Sequence, residues 1–133
     1  ASVNEALDTL PLQRIGHGVC AVEDKNVLER LAREGIHLEG CPTRNVMTGI
    51  YPDYDTHPFN VLRDAGISLS LNSDDPPYFA TTIGQEYEIA RSHMGLDNRD
   101  LVQISENALA AAFVEEATRQ QLRKKLDTTT PIY

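Results

Sequence analysis

Two adjacent carboxylates, Asp74 and Asp75, follow the last of three short apolar segments. Neighbouring carboxylates at a strand end repel each other unless a cation or strong donors lie beside them, and a divalent metal is a natural partner. The preceding residues alternate in type, with Ile67, Leu69 and Leu71 set against Ser68, Ser70 and Asn72. This period of two places Asp74 on the small polar face, so Asp74 is a candidate metal ligand. The alternative is that Asp74-Asp75-Pro76 is a turn with a helix cap, because Asp and Pro favour turns.

A histidine, His17, lies between Gly16 and Gly18 just after the first apolar segment. The flanking glycines leave little side-chain bulk around the imidazole, which could therefore approach a substrate or a metal-bound water. As a neutral ring, it could hold a water molecule and accept its proton. The alternative is a histidine that fills a packing position in a loop.

The other residues with reactive side chains give weaker indications. Cys41 is predicted to be a buried thiol at a strand end. By alternation, His37 and Glu39 share its face and could line an interior, although a solvated or internally hydrogen-bonded pair is the simpler interpretation. His57 is predicted to lie at the entrance of a helix, and His93 to be an exposed helical side chain.

Three β-α units are predicted to position these residues. The strands are expected at residues 12–16, 36–41 and 67–72, each bounded by Gly, Pro or Asp. Helical patterns separate them, with Val27, Leu28, Leu31 and Ala32 before Gly35, and Phe59, Leu62 and Ala65 between Pro58 and Gly66. Alternation of strand and helix implies parallel pairing through right-handed crossovers. Functional groups collect at the carboxyl ends of such strands, which selects residues 16–18, 41–45 and 72–76.

The chain after the third strand is predicted to be helical. Thr82-Ile-Gly-Gln85 has the pattern of a capping box and opens a helix that stops at Gly95. Two further helices are expected at about 100–113 and 115–126, and 127–133 as a frayed tail. Pro42 is expected to start a loop. No repeat or linker divides the 133 residues, so one structural unit is predicted.

Composition excludes several classes of protein. The 12 Lys and Arg residues face 20 Asp and Glu, and the net charge of −8 argues against a nucleic-acid partner. No window of 18 apolar residues and no signal-peptide pattern is present, so we expect no membrane association and a cytoplasmic location. Two isolated cysteines make no disulfide framework and are expected to be reduced.

Several stretches together carry a family resemblance. They are Arg14-Ile-Gly-His17-Gly18, Glu39-Gly-Cys-Pro-Thr-Arg-Asn45, His57-Pro58, Ser70-Leu-Asn-Ser-Asp-Asp-Pro76 and Thr81-Thr-Ile-Gly-Gln-Glu-Tyr87. In this order and spacing the chain resembles the adenosine deaminase family. The resemblance implies an α/β fold, namely the C-terminal portion of a TIM (β/α)8 barrel of the metal-dependent hydrolase type, with about three β-α units plus terminal helices. It also implies zinc-dependent hydrolytic removal of the 6-amino group of adenosine or a related aminopurine nucleoside.

The resemblance assigns a role to three residues. Asp74 would be the aspartate ligand of the zinc ion, one per complete active site. Asp75 would hydrogen-bond the purine ring, and His17 would orient the metal-bound water and help to deprotonate it. Residues 14–17 and 41–43 favour a nucleoside over the free base, whereas adenine or a modified nucleoside remains the alternative substrate.

The sequence departs from the family pattern in two ways. It lacks the His-x-His pair and the His-Ala-Gly-Glu stretch, which supply three metal histidines and a catalytic glutamate. Residues 1–133 are therefore predicted to be the C-terminal part of a longer barrel domain, because a TIM barrel typically needs about 250 residues. Arg44 is at a position where many relatives have Ser, and it could alter the entrance through which the substrate reaches the site.

Two expectations follow for the isolated chain. It should not catalyse deamination, because one carboxylate cannot hold a catalytic metal. Its open sheet edges should be covered by the missing barrel half or by another copy, since natural proteins avoid bare edges. A non-catalytic half-barrel that acts as an interaction module is the rival interpretation.

Overall fold

The computed structural model describes residues 3–129. Its strands are β1 (Arg14–Gly16), β2 (His37–Gly40) and β3 (Leu69–Leu71). Its helices are α1 (Val3–Thr9), α2 (Lys25–Glu34), α3 (Pro42–Met47), α4 (Phe59–Asp64), α5 (Pro76–Phe79), α6 (Ile83–His93), α7 (Asn98–Ala111) and α8 (Glu116–Thr129), and a 3-10 helix spans Val19–Glu23. No helix within residues 3–129 combines the length and the apolar character needed to cross a membrane.

The three strands form one parallel sheet in the order β1-β2-β3. Gly16 is paired with Glu39, and Glu39 is paired with Ser70, so the strands stay nearly level along the sheet. Their carboxyl ends therefore meet at one edge. The predicted strands and their parallel pairing are confirmed, with each strand somewhat shorter than the sequence pattern.

The first crossover helix, α2, follows the predicted pattern. The Asp24 side chain accepts a hydrogen bond from the Asn26 backbone N–H at 2.9 Å and caps the start. Gly35 ends the helix with a φ of 67°, a left-handed conformation that glycine adopts without strain. Val27 and Leu31 of α2 are buried in the core that the helices share with the sheet. Their burial holds α2 against the sheet, between β1 and β2 in the chain.

The later helices confirm the predicted types, with changes at their ends. Pro58 is the cap residue before α4 rather than its first residue. Helix α7 starts at Asn98, two residues earlier than expected, because Asp97 and Asp100 form a reciprocal capping box. Helix α8 continues to Thr129, so the predicted frayed tail is wrong for 127–129. The remainder of that tail, 130–133, lies outside the described residues.

Four helical segments were not predicted: α1, the 3-10 helix, α3 and α5. Each has between four and seven residues, too few to show a helical period clearly. The expectation that Pro42 starts a loop is wrong, because Pro42 is the first residue of α3. Proline suits that position, where its missing N–H has no partner in the helix.

The two faces of the sheet differ in polarity. Leu38 and Leu69 are buried in the core together with Leu31, Phe59 and Ile104. The opposite face carries His37, which is buried and hydrogen-bonds Ser68 Oγ through Nδ1 at 2.8 Å and Ser70 Oγ through Nε2 at 2.9 Å. Burial lowers the pKa of His37. His37 is thus internally hydrogen-bonded through Ser68 and Ser70. This is one of the two simpler interpretations given above for His37 and Glu39.

Candidate functional site

Two of the predicted site residues have unusual backbone conformations at the carboxyl edge of the sheet. His17 follows β1 with a φ of 62°, and Asp74 follows β3 with a φ of 55°. Left-handed conformations cost a non-glycine residue about 1 kcal/mol or more and are most tolerated by Asn, Asp and His. The His17 N–H donates to the Glu39 carbonyl at 2.9 Å, which extends the β1–β2 pairing to this residue. His17 is therefore placed by backbone that continues directly from β1, and Asp74 by the short loop that begins three residues earlier, at the end of β3.

The Asp74 carboxylate lies between two cationic or basic groups. Its Oδ2 atom is 3.6 Å from Nε2 of His17 and 3.0 Å from Nε of Arg44. All three side chains are about one-third exposed, at 31–33%. The structure thus brings together Asp74 and His17, which are 57 residues apart in the sequence.

The environment of His17 favours the neutral imidazole. Burial lowers the pKa of His17, and the positive charge of Arg44 lowers it further, while Asp74 and Glu39 act in the opposite direction. Nδ1 is buried and has no hydrogen-bond partner among the described residues. A neutral imidazole can accept a proton, as general-base chemistry requires.

Three potential metal-ligating atoms, from His17, Cys41 and Asp74, lie within 4.8 Å of one another. Burial raises the pKa of the Cys41 thiol to about 12. Without a bound metal the Cys41 thiol is therefore protonated at neutral pH, and it would have to lose that proton to act as a ligand. The donor set therefore fits a borderline divalent metal through the Asp74 carboxylate, with His17 next to it. Cys41 is 5% exposed, which confirms the predicted buried thiol.

A cavity of about 580 Å³ opens above these groups. Its lining consists of Gly16, His17, Glu39, Cys41, Asn72, Ser73, Asp74 and Ile83. The Glu39 carboxylate reaches this lining from the middle of the sheet and pairs with Nε of Arg14 at 3.3 Å. A purine-sized molecule fits within such a volume, since small-ligand pockets start at about 300 Å³.

Asp75 lies beside this cavity but outside its lining. It is the cap residue of α5, and its carbonyl accepts hydrogen bonds from the N–H groups of Tyr78 and Phe79, both at 3.0 Å. Its exposed side chain makes no capping hydrogen bond. The prediction that Asp75 caps a helix therefore holds for its backbone. Its carboxylate takes no part in the cap and can contact a ligand.

Some contacts at the site were beyond reach of the sequence pattern. The Arg44–Asp74 ion pair and the place of Ile83 in the cavity wall depend on how the loops meet in space. The two other histidines lie elsewhere. Buried His57 donates from Nε2 to Asn45 Oδ1 at 3.0 Å, and Nδ1 of exposed His93 pairs with Asp55 at 3.0 Å.

Comparison with known proteins identifies the family. The family model described as "Adenosine deaminase" matches residues 1–129. The chain belongs to the adenosine deaminase family. A curated adenine deaminase from Sinorhizobium medicae is 48% identical over 121 residues, which cover 91% of this chain and 37% of that protein.

Solved structures of adenosine deaminase family relatives share the fold. The crystal structure of an adenine deaminase from Arthrobacter aurescens matches with a TM-score of 0.90 and 28% identity, over 95% of this chain and 38% of that one. An amidohydrolase from Burkholderia ambifaria with bound zinc matches with a TM-score of 0.83 and 27% identity, over 95% and 35% of the two chains. The predicted fold, a portion of a TIM barrel with parallel β-α units and terminal helices, is confirmed.

The comparisons also bear on length and substrate. The chain spans little more than a third of the relatives it matches, at 37% of the curated protein and 38% of the Arthrobacter structure. The expected preference for a nucleoside over the free base gains no support from these relatives, since both carry the name adenine deaminase.

Proposed function

We propose that residues 1–133 form the C-terminal part of a longer barrel domain, and that the complete protein is a metal-dependent hydrolase that removes the amino group of a 6-aminopurine. Membership of the family supports the reaction class. The share of the relatives that the chain spans supports a longer domain. Zinc is the proposed metal because a structural neighbour was solved with it.

The observation that carries this proposal is the 3.6 Å separation between Nε2 of His17 and Oδ2 of Asp74 beside the cavity. A carboxylate that can hold a metal and a neutral imidazole that can take a proton are then within reach of the same small molecule. Such a pair suits hydrolysis, in which an attacking water must be both positioned and deprotonated.

Each residue is given one task. The Asp74 carboxylate supplies one ligand to the metal, which when bound lowers the pKa of water toward neutrality. His17 orients the attacking water and accepts its proton at Nε2. The Asp75 carboxylate accepts a hydrogen bond from the purine ring, because a buried polar group of the substrate left without its partner would be costly. Buried, protonated Cys41 contributes apolar bulk to the cavity wall.

The 6-aminopurine ring is the proposed unit of recognition. The sequence favours adenosine or a related nucleoside, whereas relatives are named both adenine deaminase and N6-methyl-AMP deaminase. All of these purines share the ring that Asp75 would bind. A comparison of kcat/KM for adenine, adenosine and AMP separates them, since only a site that binds the sugar loses rate on its removal.

The isolated 133 residues are proposed to be inactive. A catalytic zinc site takes three protein ligands or more. The cluster within the described residues holds one carboxylate, one buried thiol and the imidazole of His17, which the proposal assigns to the water. The rest of the barrel would supply the other ligands and cover the outer edges of β1 and β3. The rival proposal is a non-catalytic module that binds another chain through those edges.

The test uses the complete protein expressed from its full reading frame, loaded with zinc. Ultraviolet absorbance follows conversion of each purine, and His17→Ala should lower kcat by about 10²- to 10⁴-fold with unchanged zinc content. Residues 1–133 alone, refolded with zinc, should give no turnover. A reading frame that encodes only these residues, or a zinc-loaded complete protein inert toward every purine, would favour the interaction module.

A further inference from the structure

Arg44 is the feature of the site that the proposed reaction does not use. It lies in the first turn of α3, and its Nε is 3.0 Å from Oδ2 of Asp74. Within residues 3–129, this carboxylate is the one with which the guanidinium forms an ion pair. The contact is therefore specific to the proposed metal ligand.

The oxygen that Arg44 contacts is also the one nearest to His17, since Oδ2 makes both contacts. A zinc ion bound to that oxygen would sit about 2.1 Å from it. The metal and the Arg44 Nε would then lie within about 5 Å of each other, and two cations at that separation repel. Full occupancy of Oδ2 by both is thus unfavourable.

Arg44 can leave this contact at modest cost. Its side chain is 31% exposed, so water can solvate the guanidinium after it moves away. No other ion pair within the described residues holds it in place. The carboxylate of Asp74, by contrast, is fixed by a left-handed backbone at the end of β3.

We propose that Arg44 is a positioning residue that occupies Asp74 before the metal binds and is displaced by it, so that the ion pair lowers the affinity of the site for zinc. This inference rests on the metal site of the proposed function. Before zinc arrives, the guanidinium holds the Asp74 carboxylate through the ion pair at Oδ2. After zinc arrives, Arg44 turns to solvent at the cavity mouth.

The experiment compares zinc affinities of the complete protein and three variants by competition with a chromophoric chelator. Arg44→Gln should bind zinc about five- to twentyfold more tightly, because both the competing ion pair and the charge repulsion are lost. Arg44→Lys keeps the charge and should lie between the two. Arg33→Gln removes one exposed cation from α2, away from the cavity, and should leave the affinity unchanged.

Salt supplies a second readout that a structural role would not alter. Raising the ionic strength screens the Arg44–Asp74 pair, so the difference in zinc affinity between wild type and Arg44→Gln should become smaller. Unchanged or weaker zinc binding by Arg44→Gln would overturn the inference and leave the proposed metal site intact. Absence of zinc binding in wild type and every variant would overturn the inference and the proposed metal site together.

Discussion

The carboxylate of Glu86 on α6 accepts a hydrogen bond from the backbone N–H of Thr43 at the start of α3, at 3.1 Å. Its other oxygen accepts one from the Thr81 hydroxyl at 2.6 Å. Glu86 is fully buried, at 0% exposure. This carboxylate therefore links α3 to α6 and to Thr81, which precedes α6. Cys41 and Arg44 are positioned with α3.

We expect Glu86→Ala to destabilise the protein by about 2–4 kcal/mol, because it leaves the Thr43 N–H buried without this partner and removes the shorter of the two hydrogen bonds of the Thr81 hydroxyl. Glu86→Gln should cost only about 1 kcal/mol. Its carbonyl can still accept from Thr43, and its amide can donate to the Thr81 oxygen. Urea unfolding of the complete protein measures both. Glu88→Ala, on the exposed face of the same helix, is the control and should change stability by less than about 0.5 kcal/mol. Equal losses for Glu86→Ala and Glu88→Ala would contradict the anchoring role.

Acid sensitivity should arise in part from His57. Burial lowers the pKa of His57 from 6.5 to about 4, and its Nε2 contacts Asn45 Oδ1 at 3.0 Å. In the unfolded chain His57 takes up a proton as the pH falls through about 6.5, whereas the folded protein resists protonation until about 4. The stability that neutral His57 provides is therefore complete above pH 6.5 and declines between about 6.5 and 4, by up to about 3 kcal/mol.

The measurement is the free energy of unfolding as a function of pH for wild type and His57→Gln. The variant cannot titrate, so the difference between the two curves should fall across this window. His93→Gln is the control, since His93 is exposed and pairs with Asp55 at the surface. Parallel curves for wild type and His57→Gln would contradict the buried, neutral assignment.

The fold was largely predictable because its signals are local. Alternation marks β3, Gly35 marks the end of α2 through its left-handed conformation, and Thr82 marks the start of α6 because its side chain accepts a hydrogen bond from the Gln85 N–H. The sequence pattern does not predict the short helices α3 and α5, because each has a proline at its start and packs against the other, and neither has a helical period of its own. Tertiary contacts override local preference at such positions.

The site was predictable only at its strand ends. His17 directly follows β1 and Asp74 lies three residues after the end of β3, and the parallel sheet brings such strand ends together. Arg44 and Glu86 lie on helices, and their partners are 30 and 43 residues away from them. No spacing within the sequence indicates which carboxylate will meet which donor, so these contacts required the folded chain.

The two cysteines should differ sharply in reactivity. Cys20 is exposed, while Cys41 is buried, with a pKa raised to about 12. Alkylation requires the thiolate, so at pH 8 iodoacetamide should modify Cys20 and spare Cys41 in the folded protein. Peptide mapping by mass spectrometry reads each site, and unfolding in urea should expose both. Modification of Cys41 at a rate similar to that of Cys20 in the native protein would contradict its burial and reopen it as a metal ligand.

Asp74 and Asp75 are adjacent, yet their substitutions should fail in different ways. Asp74→Asn removes the proposed carboxylate ligand, so the complete protein should bind zinc more than about tenfold more weakly and lose turnover with it. Asp75→Asn should keep its zinc, because Asp75 lies outside the cluster of His17, Cys41 and Asp74. Its kcat/KM should fall by up to about tenfold, because the Asn oxygen can still accept the hydrogen bond but lacks the charge that strengthens it. Zinc content by atomic absorption and kcat/KM for the best purine distinguish the two variants. Loss of zinc in Asp75→Asn, or full zinc affinity in Asp74→Asn, would show that the two roles have been assigned to the wrong carboxylates.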